Sequence, residues 1–380
     1  MTYQYIATNA ELADFCLKLE NSEFLAVDTE FVRTRTYFPK LGLIQVSNGQ
    51  HCALIDPIEV NDLAPFWALM SDSKILKVLH ACSEDIEVFL QEGCRPVNVL
   101  DSQIMMTFLG HGLSLGYAAT VKHYLAIELD KSESRTDWTK RPLTEKQKQY
   151  AIADVIHLHE IFPKIQQEIS ETTWLNAAIE ESERLIEKKC QQVDQENLYK
   201  NVKLAWRLNP EQLNRLKALC KWRYQHAIKK NVPLSFVVKD HTLFTVAQKN
   251  PKHFYALSQL EGVEANDVKY KGKALLAELR KANELPAQDY PQRVQRLDEQ
   301  PGYKQVYKRV KNFLAKAAEE AGIQVELLAS KKQINQFLKR HYQISDRPPE
   351  QIDLLSGWRR RLAGEKLEAM SADNFEQLPG

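Results

Sequence analysis

Every segment that reads as a β-strand lies in the first 80 residues of this 380-residue chain. Phe24–Phe31 (FLAVDTEF), Leu41–Ser47 (LGLIQVS), Cys52–Ile55 and Ile75–His80 (ILKVLH) are short apolar runs, bounded by turn formers such as Asn48-Gly49. Helical patterns follow at Glu84–Gln91, Ser102–Leu109, Leu115–Leu125 and Glu145–Ile161. The last opens on Thr144-Glu145-Lys146-Gln147, a capping-box sequence. Strands first, then strands interleaved with helices, predict an α/β or α+β domain over residues 1–168. A chain of this length exceeds what one hydrophobic core usually serves, so further domains are expected.

Residues 169–205 read as a long charged helical connector, and beyond it strand signals nearly vanish. Asn209-Pro210-Glu211-Gln212 starts a helix, with a capping Asn and Pro at the first helical position. Apolar residues at Leu213, Leu216, Cys220, Tyr224 and Ala227 then share one face. The pattern recurs 90 residues later at Tyr303, Val306, Val310, Leu314 and Ala317, and the register continues with Phe244 against Ile334. Farther on the offset is expected to shrink to 85, with Gly272 answering to Gly357. Two all-helical modules are therefore predicted, over residues 206–290 and 291–372, separated by the proline-containing stretch Leu285–Pro301. Two copies are too few for a solenoid, so two small packed bundles are expected.

The net charge of +1 conceals an asymmetry. Residues 1–200 carry 19 Lys+Arg and 30 Asp+Glu, a net of −11, whereas residues 201–380 carry 32 and 20, a net of +12. An acidic half suits cations and a basic half suits a polyanion. Charge alone does not separate this reading from two ordinary solvated surfaces. Residues 201–290 hold 16 basic and 8 acidic residues, against 16 and 12 in residues 291–380, so the first module is the better candidate for a polyanion. Lys269, Lys271 and Lys273 are candidate phosphate contacts there, and Arg359, Arg360 and Arg361 form the densest basic run of the second module. Six scattered cysteines with no C-x-x-C pair suggest neither a disulfide framework nor a zinc site. No apolar run approaches the roughly 18 residues of a membrane span. The first 15 residues lack a signal-peptide layout, so a cytoplasmic location is expected.

Asp28 and Glu30 lie two apart in a strand, where residues i and i+2 project from one face and Val27 and Thr29 from the other. Two carboxylates that close repel each other unless a cation lies between them. Tyr150 and Asp154 are four apart on a helix and share a face. Asp85 falls in the first turn of a helix, just after the strand carrying His80, where acids are common for dipole reasons. Taken singly, each has an ordinary structural reading.

Taken together, the order D-x-E, D, Y-x-x-x-D resembles the DEDD superfamily of exonucleases in its tyrosine-bearing branch. The flanking segments VDTEFVRTRTYFPKLGLIQVS, VLHACSEDIEVF, DSQIMMTFLG and SESRTDWTKRPLTEKQKQYAIADV resemble the ribonuclease D family over roughly residues 20–165. The two C-terminal repeats resemble its HRDC domains. The resemblance implies a ribonuclease H-like mixed-sheet exonuclease domain followed by two all-α HRDC bundles. It also implies a 3′→5′ exoribonuclease that releases 5′-mononucleotides with two divalent metal ions, Mg or Mn. Asp28 would bridge the ions, Glu30 and Asp154 would complete one site, Asp85 would support the other, and Tyr150 would orient the attacking water. Thr29, Phe31 and His80 are candidates to contact the terminal nucleotide. Lys131, Arg135 and Trp138 are candidates to grip phosphate and stack on a base. The family further implies RNA as partner (transfer RNA precursors and other small structured RNAs), no membrane, and a monomer. A 3′→5′ DNA exonuclease of the proofreading or Werner type shares the acids, and a non-catalytic RNA-binding protein is the alternative from another class.

Overall fold

The computed structural model describes residues 2–345, 347–373 and 375–376. They fold into two compact units. One comprises the chain up to Val32, Pro39–Gln191 and everything from Pro301 on; the other comprises Arg33–Phe38 and Gln192–Gln300.

The first unit is built on a six-stranded mixed sheet of order β1-β4-β3-β2-β5-β6. The strands are β1 (Gln4–Ile6), β2 (Phe24–Val32), β3 (Lys40–Ser47), β4 (Cys52–Ile55), β5 (Leu76–Leu79) and β6 (Val99–Asp101). β3 runs antiparallel to β2 and β4, while β1 with β4, β2 with β5, and β5 with β6 are parallel. The four strands read from sequence are present; β1 and β6, three residues each, are too short to show a period. Seven helices accompany the sheet: α1 (Asn9–Leu17), α2 (Ala64–Ser71), α3 (Ser83–Gln91), α4 (Ser102–Phe108), α5 (Tyr117–Leu125), α6 (Glu145–Ser170) and α7 (Leu175–Cys190). Leu25 and Val27 of β2 enter one core with Phe15 of α1, Phe66 of α2 and Phe89 of α3. The opposite face of β2, with Asp28 and Glu30, meets α6.

α6 starts at the expected capping box: Thr144 Oγ1 accepts from Gln147 N–H at 3.1 Å, and Gln147 Oε1 accepts from Thr144 N–H at 3.0 Å. It runs nine residues past the predicted end, through Pro163. A proline inside a helix costs about 3 kcal/mol. Phe162, Ile165 and Ile169 continue the buried stripe, and each such side chain contributes roughly 1.5–3 kcal/mol, which outweighs the break.

Residues 169–205, expected as a connector, divide between the two units. α7 packs on α3, α4 and β6, with Ile186 in the core of the first unit. Its Ser182 hydroxyl accepts from the Asp101 N–H at 3.1 Å. Tyr199, Val202 and Ala205 instead join the core of the second unit. That unit holds α8 (Pro210–Lys230), α9 (Leu234–Val237), α10 (Asp240–Lys249), α11 (Phe254–Ser258) and α12 (Ala265–Glu284). α8 begins as predicted, with Asn209 and Gln212 exchanging cap hydrogen bonds of 2.9 and 3.0 Å.

The C-terminal part of the first unit repeats this order as α13 (Tyr303–Glu320), α14 (Val325–Leu328), α15 (Lys331–His341) and a final helix that starts at Gly357 and passes through a π turn at Arg360–Gly364. The spacing between copies grows rather than shrinks. Buried Leu243 and Ala247 answer to buried Ile334 and Leu338, 91 positions on. Gly272 answers to Gly364, 92 on, and not to Gly357. Both glycines permit a close approach: a Cβ at Gly272 would lie 3.0 Å from the Phe254 ring, and one at Gly364 would lie 1.9 Å from the Leu354 carbonyl. Gly357 has a different task, a left-handed turn at φ +57° that opens the final helix.

This second copy is docked on α7 through charge. Asp353 meets Arg184 at 2.9 Å and Lys188 at 3.0 Å, and the Trp358 indole N–H donates to Glu181 at 2.9 Å. Arg359 is only 4% exposed; it pairs with Glu181 and donates to the Leu327 and Leu328 carbonyls, both at 2.9 Å. Arg361 pairs with Glu180. Arg360 lies 3.6 Å from Glu365 and 3.5 Å from Glu368. The arginine run that stood out in the sequence is therefore committed to protein carboxylates.

Candidate active site

β2 pairs with β5 only through Ala26 but with β3 along its length to Val32. Asp28 and Glu30 thus sit on a strand held firmly by β3, beyond the end of β5. α3 follows β5 through a turn in which Ala81 adopts φ +57°, a conformation strained for a residue with a side chain. The Asp101 carboxylate fixes that turn, accepting from the Ala81 and Cys82 N–H groups at 2.9 and 3.0 Å. The first turn of α3 then presents Asp85, whose carboxylate accepts a 2.5 Å hydrogen bond from Thr29 Oγ1.

The start of α6 is set by Arg141. Its guanidinium meets both oxygens of the fully buried Asp56, at 2.5 and 2.6 Å, and donates to the Gly42 and Trp138 carbonyls at 2.7 and 2.9 Å. Trp138 lies so close to β3 that a Cβ at Gly42 would be 2.7 Å from its carbonyl, so glycine alone fits there. From this anchored start α6 carries Tyr150 and Asp154 over the acidic face of β2. Asp28, Glu30 and Asp154 each offer an oxygen, and these oxygens lie within 4.8 Å of one another.

Such crowding is unfavourable for bare carboxylates. Burial, then the neighbouring Asp85, Asp154 and Glu30, holds the Asp28 carboxyl well above its usual range. Burial and then Asp154 and Asp85 push Glu30 up to about 9. Burial raises Asp154 to about 7, and it raises Asp85 to about 6 against the opposing hydrogen bond from Thr29. Burial, then Asp154, Glu30 and Asp28, raises the Tyr150 hydroxyl too. An all-oxygen set that resists ionisation in isolation is the set a hard divalent cation would relieve. Beside it is a cavity of about 350 Å³ lined by Tyr150, Asp154, Tyr117 and Lys131 among others.

Residues 3–170 match the 3′-5′ exonuclease family, 212–279 the HRDC domain, and 301–367 the C-terminal HRDC domain of ribonuclease D. The chain is 41% identical to ribonuclease D of Cronobacter turicensis, over 96% of its own length and 99% of that protein. It is 41% identical to ribonuclease D of Escherichia coli over 97% and 98%. The chain belongs to the ribonuclease D family. The crystal structure of Escherichia coli RNase D superposes with a TM-score of 0.95 at 40% identity, covering 98% of this chain and 99% of that one. The fold expected from sequence, a mixed-sheet exonuclease core with HRDC domains, is the fold of the ribonuclease D family, and the activity is that of a 3′→5′ exoribonuclease. An exonuclease core of this kind implies divalent metal ions, and the acidic cluster fits them.

The other residues singled out as ribonuclease D contacts fall in different settings. Phe31 is partly buried against the core of the sheet. His80 has both ring nitrogens engaged, with the Ser102 hydroxyl at 2.9 Å and the Leu115 carbonyl at 3.0 Å. Burial lowers its pKa, so it is a neutral pin between β5 and the chain entering α5. Trp138, a candidate for stacking on a base, is 1% exposed and fills the core beside Tyr150, with ring centroids 6.0 Å apart. Lys131 lines the cavity and Arg135 is exposed. Lys269 and Lys273, four apart on α12, share an exposed side. Lys271 lies on another, 3.3 Å from the Phe236 carbonyl.

Three contributors escaped the sequence reading. Tyr117 lines the cavity and donates its hydroxyl to the Asp154 carbonyl, holding the helix turn that carries the acid. Asp101 and Arg141 act at one remove, through the α3 turn and the α6 start. Arg141 had a readable sign, a lone arginine before a proline and a helix cap; Tyr117 and Asp101 had none.

Proposed function

We propose that the chain shortens RNA from its 3′ end, one 5′-mononucleotide at a time, with two Mg²⁺ or Mn²⁺ ions held by Asp28, Glu30, Asp154 and Asp85. The observation that carries this reading is the convergence of Asp28, Glu30 and Asp154 within 4.8 Å, with Asp85 held against the same strand by Thr29. When bound, such cations lower the pKa of water and stabilise charge on the attacking and leaving oxygens of a phosphodiester. Tyr150 keeps its proton, because burial and three acids hold its pKa up, so its hydroxyl orients the attacking water and does not deprotonate it. Thr29 holds Asp85, and Tyr117 holds the turn of Asp154, so two of the acids arrive pre-positioned.

The 350 Å³ cavity beside Tyr150 suits the terminal nucleotide; Lys131, in its lining, and the exposed Arg135 are our candidates for phosphate contacts. Phe31, just past a register shift after Glu30, is at the margin of the same strand. The net charge of +8 over residues 201–290, with Lys269 and Lys273 exposed, favours the first helical module as the holder of the RNA body. Residues 206–290 and 291–372 are proposed as distinct HRDC modules, the first for RNA and the second for bracing α7. The Escherichia coli relative is described as an exoribonuclease involved in structured RNA processing. By that likeness the substrates are precursors of transfer RNA and other small structured RNAs. The chain would act as a monomer in the cytoplasm, where six free cysteines are at home.

The deciding experiment follows RNA labelled at either end. The reading requires mononucleotides from the 3′ end, with added Mg²⁺ or Mn²⁺, and none in excess chelator. Internal cleavage, or hydrolysis that survives the chelator, overturns it. Sequencing RNA 3′ ends in cells lacking the protein identifies the substrates.

A further inference from the structure

Gln45 stands in the middle of β3 and is completely buried, yet neither end of its amide has a hydrogen-bond partner among the described residues. A buried amide left unpaired is costly, and most such groups in folded proteins are paired.

Strand register locates that amide. Asp28 of β2 lies directly opposite Gln45, and Leu54 of β4 lies opposite it on the other side. Side chains of directly opposed residues emerge on one face, with Cβ atoms about 4.5–5.5 Å apart. Gln45 therefore projects from the face that carries the acids and meets α6, and not into the core that Ile44 and Val46 share with Leu25 and Val27. Along β3 the same face holds Leu43 and Ser47, and the Ser47 hydroxyl already accepts from the Gly49 N–H at 3.1 Å. On α6 the buried Gln147 amide is committed to Thr144 and Thr136. Asp28 is thus the polar side chain beside the idle amide.

The acids differ in how they are held. Thr29 Oγ1 supports Asp85, and Tyr117 supports the turn of Asp154. Asp28 has the Thr29 backbone N–H, and no side-chain hydrogen bond among the described residues. Carboxylates that ligate metals are themselves hydrogen-bonded, which fixes their orientation.

We propose that Gln45 is a positioning residue for Asp28: with divalent cations held among the acids, its amide N–H donates to the Asp28 carboxylate and fixes that ligand in place. The proposal rests on the metal-dependent exoribonuclease reading above. A neutral donor suits the position, because it orients a carboxylate without bringing a positive charge to compete with the cations. An amide that serves the loaded site and goes unpaired in the bare one accounts for its missing partner.

The test compares wild type with Gln45→Met in the full chain, by melting temperature in chelator and by Mn²⁺ binding in equilibrium dialysis. Methionine keeps the length of the side chain and removes both polar atoms. In chelator the variant should melt at or above the wild-type temperature, since an unpaired amide has given way to an apolar group. Its Mn²⁺ affinity should fall by about 10–100-fold. A residue that only fills the core would move the first quantity and not the second. Gln45→Leu repeats both measurements and stands alone if Gln45→Met does not fold. Wild-type Mn²⁺ affinity in either folded variant would overturn the proposal. So would a melting temperature in chelator several degrees below wild type in both, which would give the amide a structural partner. Failure of the underlying reading looks different: wild type would take up no Mn²⁺, or Asp154→Asn would take up as much as wild type, and the proposal would fall with it.

Discussion

Thr29 and Asp85, 56 positions apart in the chain, are joined by a 2.5 Å hydrogen bond from hydroxyl to carboxylate. Burial favours the protonated acid, whereas this bond favours the ionised one that a cation needs. Thr29→Val keeps the shape and removes the donor. Turnover should fall by about 10–100-fold, the usual range for loss of a group that orients a metal ligand. RNA affinity should hold. Mononucleotide release and Mn²⁺ titration together check this, and an unchanged metal dependence would count against it.

Asp154→Asn should abolish hydrolysis yet stabilise the metal-free protein near neutral pH. The substitution removes one member of a group of mutually repelling acids, and the remaining Glu30 and Asp28 ionise more easily. The melting temperature in chelator should rise by several degrees. A fall would mean that Asp154 serves chiefly as a structural hydrogen-bonding group.

Acidity should matter to the metal-free fold in a definite direction. Asp85, Asp154 and Glu30 are raised to about 6, 7 and 9, above the ordinary carboxylate values of the unfolded chain. The folded state therefore binds more protons than the unfolded state between those limits. Their stabilising contribution is complete below about pH 4 and is lost as pH climbs through 6, 7 and 9. Melting temperatures in chelator should drop across that range, and added Mg²⁺ should restore more at high pH than at low, because protons and cations compete. A flat difference with pH would be contrary.

Tyr150→Phe removes one oxygen at a partly exposed position. RNA and metal binding should persist while turnover falls by about 10²–10⁴-fold. Single-turnover rates on a short oligomer measure it, and a rate within twofold or so of wild type would return Tyr150 to a packing role.

Glu181→Gln should loosen the second helical copy from α7. It strips the carboxylate from Arg359, a cation 4% exposed, leaving only carbonyl partners. Breaking a buried pair from one side costs about 3–5 kcal/mol. Limited proteolysis should then cut within residues 301–373 sooner than in wild type. Equal cutting would show that apolar packing alone holds the copy.

What sequence could show depended on whether a residue's work was periodic. Asp28 with Glu30, and Tyr150 with Asp154, declare a shared face by spacing alone, and α6 and α8 announce their starts through Thr144 and Asn209. Thr29 projects away from the acids by strand alternation, yet β2 outruns β5, and Asp85 comes to the hydroxyl from α3. Nothing local encodes that meeting. Trp138 sat in a basic, loop-like segment and so looked accessible; Arg141 and Gly42 draw it inside. The basic count over residues 201–380 suggested a polyanion, but Arg359 and Arg361 are matched to Glu181 and Glu180 respectively, which lie in the acidic half of the same chain.

The order in which this chain leaves the ribosome differs from the order in which its parts can be completed. The second unit needs only Arg33–Phe38 and Gln192–Gln300, so it is finished once residue 300 emerges. The first unit begins earlier but also draws on the stretch from Pro301 onward. During the last steps of synthesis, a matter of seconds at about 5–20 residues per second, α7 displays Glu180, Glu181 and Arg184 to solvent with their partners not yet made. The part of the molecule begun first is thus the part sealed last, and the nuclease body reaches its final form only when the arginines of the closing helix arrive.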